Sequence, residues 1–101
     1  MNVIDNIIAM VEGEQDLEAM SRTMQGLINS GMAWQLEGTV GRQAYRMIEE
    51  GHCLLGEVSR RDYWGGFVPS RDDVRPGTKG SRQYVIQHHD EGWAKMLEEI
   101  P

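Results

Sequence analysis

Residues 59–82 hold six cationic side chains, Arg60, Arg61, Arg71, Arg75, Lys79 and Arg82, interleaved with three aromatic rings, Tyr63, Trp64 and Phe67. Arginine and the large aromatics are the side chains that most often anchor a binding interface. A guanidinium also grips a carboxylate or a phosphate with two parallel N–H bonds, which lysine cannot copy. On this chemistry Arg60, Arg61, Tyr63, Trp64, Arg71, Arg75 and Lys79 are the candidate partner-binding residues. A structural alternative uses the same residues. The rings could turn inward as a small satellite core, with the arginines paired to Asp62, Asp72 and Asp73. A chain of 101 residues with three tryptophans needs rings for packing, which favours inward rings. Charged groups are rarely buried unpaired, which favours outward arginines.

The other reactive side chains make weaker patterns. Three histidines and one cysteine occur, but His88 and His89 are adjacent, and neighbours on a helix point about 100° apart. His52 and Cys53 have the same fault, and no metal-ligand spacing is present. Cys53 lies in the apolar run "HCLLG", the setting of a buried, inert thiol rather than a nucleophile. The acidic pairs Glu49–Glu50, Asp72–Asp73 and Glu98–Glu99 read as solvated surface. "GTVGRQA" departs from the phosphate-binding glycine patterns. "GTKGS" at 77–81 could hold an anion on backbone N–H groups and Lys79, but the signal is weak and a capped turn is the preferred reading. Seven methionines are read first as core filling, as at Met20 and Met24. No catalytic group, cofactor or metal is expected.

The formal charge is −6, which disfavours non-specific binding to nucleic acid or an anionic membrane. The charge is uneven. Residues 1–50 carry eight acidic and three basic side chains, whereas 59–82 carry six basic and three acidic ones. A single cysteine suits a reducing compartment. No apolar run approaches the ~18 residues of a membrane span, and "MNVIDNIIAMVEGEQD" lacks the basic start and cleavage site of a secretory signal. A cytoplasmic protein without membrane contact is expected.

These side chains must be positioned by helices. Leu17, Met20, Met24, Leu27 and Ile28 form an amphipathic stripe, with Asp16 as N-cap and Gly31 as stop. A short helix is predicted over 2–12. "MAWQLEG" reads as a connector or single helical turn that plugs Trp34 and Leu36 into the core. A helix from Thr39 to Glu50 follows, with Val40, Ala44, Met47 and Ile48 inward and Gly51 as stop. From about 52 to 80 turn formers dominate. A ribbon with Cys53–Leu55 and Phe67–Val68 as its arms is one reading, although its loop exceeds the favoured hairpin length. Ser81 caps a last helical segment that Gly92 interrupts, with Asp90 as a fresh N-cap. The expected fold is mainly α: a single domain over 1–101 with three or four helices, one long ordered loop and a short β-ribbon.

Two motifs carry a resemblance. One is Ser30, Gly31, Ala33, Trp34, Leu36, Gly38, Gly41 and Arg42, followed by "MIEEG". The other is "RDYWG" followed by "VPSRDDVRPGTKGS". Over residues 27–81 the chain resembles a family of small uncharacterised proteins encoded by tailed bacteriophages. The resemblance implies a phage origin and a small helical domain, and it carries no reaction. The expected function is a non-enzymatic binding protein that occupies the surface of a host or defence macromolecule, most simply a protein. The alternatives are a nucleic-acid-binding accessory protein using the basic 59–82 loop and a component of the phage particle. A small hydrolase or nuclease ranks last.

Overall fold

The computed structural model describes residues 16–36 and 38–101; the helix predicted over 2–12 lies outside them. Helix α1 (Leu17–Ser30) begins where the Asp16 carboxylate accepts the Ala19 N–H at 2.8 Å. It ends at Gly31, whose φ of 83° closes a left-handed cap that only glycine adopts without strain. Met24, Leu27 and Ile28 are buried, while Leu17 at the start of the stripe is exposed and Met20 is half-buried. One turn, α2 (Met32–Gln35), then drives Trp34 into the core, where it keeps 2% of its surface.

Helix α3 (Gly38–Glu49) starts one residue before the predicted Thr39 and buries Val40, Ala44, Met47 and Ile48 as expected. The next segment is the spine of the molecule. Cys53, Leu54 and Leu55 are all buried. Cys53 and Leu55 pack with α1, α2 and α3, whereas Leu54 packs with the C-terminal helices. That alternation is what extended backbone produces.

The spine is not a hairpin arm, contrary to the sequence reading. Its peptide groups find other partners. The Cys53 N–H donates to Met47 O, and the Leu55 N–H donates to Gly80 O at 3.1 Å. The Leu54 N–H donates to Gln25 Oε1 at 2.8 Å, and the Gln25 amide returns a bond to Leu54 O at 3.1 Å. Phe67–Val68 (β2) pairs antiparallel with Arg60–Arg61 (β1) instead. The short interval between Arg61 and Phe67 closes more readily than the long one from Leu55.

Helices α4 (Arg82–His88) and α5 (Glu91–Glu98) complete the described chain, capped by Ser81 and Asp90 at the predicted positions. Val85, Ala94 and Leu97 close over Leu54 as a second apolar cluster. The described residues are therefore mainly helical with one small antiparallel ribbon. No helix among the described residues is long and apolar enough to cross a membrane.

Candidate binding surface

The loop between the spine and α4 is ordered by its own polar groups. The Arg71 N–H donates to Gly56 O at 2.8 Å, and the Ser70 N–H donates to Asp73 Oδ2 at 3.1 Å. In "GTKGS" the Gly77 N–H and the Tyr84 N–H both donate to Ser81 Oγ, and the Ser81 N–H donates to Thr78 O. These bonds are those of the capped-turn reading.

The ribbon tip is held by one side chain. Asp62 Oδ1 accepts the Trp64 N–H at 3.0 Å and the Gly66 N–H at 2.7 Å. Its Oδ2 accepts the Tyr45 hydroxyl of α3 at 3.0 Å. The Asp62 N–H donates to Gly66 O, and Gly65 takes a φ of 83°. The donated bonds, Gly66 first, hold the Asp62 carboxyl below its ordinary range, so it is ionised at neutral pH. The tip is thus a carboxylate-nucleated turn tied back to a helix.

This rigid turn presents rings to solvent. Tyr63, Trp64 and Phe67 are 54%, 77% and 58% exposed. That reverses the inward reading. The core is already filled by Trp34 and the aliphatic stripes, and the short ribbon leaves these rings on its outer side. Tyr63 and Trp64 stand edge to face at 4.9 Å and 86°. The Arg61 guanidinium lies 5.7 Å from the Phe67 ring centre and donates to Gly65 O at 3.3 Å. Between the tip and the start of α3 is a small cleft of about 90 Å³, walled by Trp34, Arg42, Tyr45, Asp62, Tyr63 and Trp64.

The cations divide. Arg60 donates to Asn29 O at 3.2 Å and packs its guanidinium against Gly31. Arg71 donates to Leu55 O at 2.8 Å and to Asn29 Oδ1 at 3.1 Å, and lies 4.0 Å from Glu57. Arg82 is paired with Glu91 and Glu98. None of the three uses Asp62, Asp72 or Asp73, the partners considered from the sequence. Asn29 explains why: its backbone and side-chain oxygens offer acceptors close to the core. Arg61, Arg75 and Lys79 are exposed. Of the seven candidate residues, the structure brings Arg61, Tyr63 and Trp64 together on the ribbon and leaves Arg75 and Lys79 on the separate turn before α4.

Phe67, one of the three rings already marked in the sequence, completes the surface together with Asp62 and Tyr45, which were not among the candidates. Asp62 was detectable, because Asp followed three residues later by Gly is a turn signature. Tyr45 gave no such signal. Cys53 is fully buried, its thiol pushed up by burial, and its Sγ lies 3.5 Å from Ser21 O. Among the described residues no group of three or more His, Cys, Asp or Glu is placed to hold a metal ion.

The family model of a domain of unknown function, DUF7417, matches residues 1–60. The matched segment covers α1, α2, α3 and the spine and ends at the first residue of the ribbon. Comparison with curated proteins and with solved structures finds no match. With more than half of its length matched, the chain belongs to the DUF7417 family.

Proposed function

We propose that this is a small phage-encoded, non-enzymatic binding protein. It acts in the bacterial cytoplasm by occupying a surface of a host or defence protein, and its contact surface is the aromatic ribbon tip. The observation that carries the reading is the exposure of Tyr63, Trp64 and Phe67 on a turn whose backbone is fixed by Asp62. Rings of this size left in water on a rigid support are the usual form of an interface anchor. Prior fixing of the tip lowers the ordering cost of association.

The division of the cations favours a protein over a nucleic acid. Arg60, Arg71 and Arg82 are committed to partners within the fold, which leaves Arg61, Arg75 and Lys79 to meet phosphates. Three exposed cations within residues 59–82, on a chain of net charge −6, make a weak electrostatic footprint for that loop. The resemblance to small phage proteins supplies the biological setting.

The test is capture of partners from a bacterial lysate on the immobilised protein, before and after nuclease digestion, at graded salt. The proposal expects one dominant protein that survives nuclease. Capture that vanishes with nuclease, and falls with a log–log salt slope near −0.9 per phosphate contacted, replaces it with nucleic-acid binding by the loop.

A further inference from the structure

His52 and His89, 37 residues apart in sequence, face each other with Nδ1 of the first 2.8 Å from Nε2 of the second. The pair is embedded in a polar and aromatic cluster. His52 Nε2 lies 3.3 Å from Glu50 Oε2. The His89 ring stacks on Trp93 at 3.9 Å and 2°, and the Trp93 indole N–H donates to His52 O at 3.0 Å. His89 occupies the joint between α4 and α5, where the backbone leaves helical geometry (φ −132°, ψ −104°). A second tie joins the same regions, the Tyr84 hydroxyl donating to Glu49 O at 2.6 Å. The cluster therefore fastens the α4–α5 pair to the turn that ends α3.

We propose that the His52–His89 pair is a proton-operated latch: while one proton bridges the two rings it holds the α4–α5 joint against the Glu50–Cys53 turn, and full protonation of both rings opens it. Each neutral imidazole has one donor and one acceptor nitrogen, and an imidazolium has two donors. Glu50 favours the Nε2–H form of His52, so His52 Nδ1 accepts from His89 Nε2–H. One added proton leaves a bridging hydrogen bond intact. A second makes both facing nitrogens donors and sets two cations with ring centres 5.0 Å apart.

The charged groups around the pair are few. Glu50 faces His52 from the end of α3, and Asp90 attracts a proton to His89 from the start of α5. His88, at the end of α4, opposes it. Burial first, and then the His52 charge, hold His89 below the ordinary imidazole range. The sign follows from linkage. Below the ordinary imidazole value near 6.5 the unfolded chain binds more protons than the folded one, so this contribution to stability is present above that value and lost on acidification.

Two readouts test the latch. By NMR, the imidazole signals of the wild-type protein should titrate as a coupled pair, and His52→Gln should shift the His89 titration upward. By thermal melting, the wild-type midpoint should fall by several degrees between about pH 7.5 and about pH 5.5, a window in which histidine is the main titrating side chain. His89→Gln should remove most of that fall, and His88→Gln should leave it in place. If His89→Gln does not fold, His52→Gln is melted instead. Independent titration of the two rings, or a fall in the variants parallel to that of the wild type, overturns the proposal.

Discussion

Replacing Gln25 with Leu removes the one side chain that serves both peptide groups of Leu54. Gln25 has no exposed surface, and its amide makes three bonds: from the Leu54 N–H, to Leu54 O and to Asn29 Oδ1. Among the described residues the Leu54 N–H and C=O have no other partner. Leaving a buried polar group unsatisfied costs about 1–3 kcal/mol, so two such groups cost roughly 2–6 kcal/mol. The apolar surface of the new leucine offsets part of this, at about 25 cal/mol per Å². A net loss of about 2–4 kcal/mol follows, a large share of the roughly 5–15 kcal/mol that holds a domain together. Urea unfolding followed by circular dichroism measures it. With a slope of about 1–3 kcal/mol per M, the midpoint should drop by roughly 1–2 M at unchanged slope. A midpoint within about 0.2 M of wild type would refute the assignment of Gln25 as the clamp of the spine.

Other consequences are equally open to measurement. Gly80→Ala should destabilise the protein by more than about 1 kcal/mol, because Gly80 sits at a φ of 86° and the Leu55 side chain occupies the place its Cβ would take; an unchanged melting temperature contradicts this packing. The Tyr45 phenol is pushed up to about 12, first by burial and then by its hydrogen bond to Asp62 and that residue's charge. The unfolded phenol ionises near 10, so the folded state binds more protons between those values and stability should fall as pH rises through that window. Absorbance titration should show a late phenolate step that disappears in Tyr45→Phe. The Cys53 thiol should react with a thiol reagent only as fast as the protein opens, since it is fully buried and its proton is held by burial; rapid labelling of the native protein would contradict its place in the core.

What the sequence disclosed and what it hid divide by distance along the chain. The caps at Asp16, Ser81 and Asp90, the stops at Gly31 and Gly51, and the inward face of α3 are local patterns, and all were legible. Trp34 was legible for the same reason, a large ring in a short glycine-flanked connector. The pairing of Phe67–Val68 with Arg60–Arg61 was missed, because the apolar run of Cys53–Leu55 looked like the better strand. Its backbone is instead served by Gln25, 29 residues away, and nothing near either residue signals that bond. Asn29 was silent too, yet it draws Arg60 and Arg71 inward. With those arginines turned in and the core filled, the rings are left outside. The basic and aromatic composition of residues 59–82 marked the right region, while long-range side-chain bonds decided which of its residues face solvent.

If the ribbon tip is the binding surface, truncation of Trp64 to Ala should abolish partner capture. Trp64 is 77% exposed, so its truncation should change stability by no more than about 0.5 kcal/mol. Capture from one bacterial lysate on wild-type protein, on Trp64→Ala, and on Arg75→Ala with Lys79→Ala gives the comparison. Trp64→Ala should keep the wild-type melting temperature and lose the dominant protein partner, while the double variant retains it. A partner held equally well by Trp64→Ala, and lost from the double variant, would instead place the interface on the turn before α4.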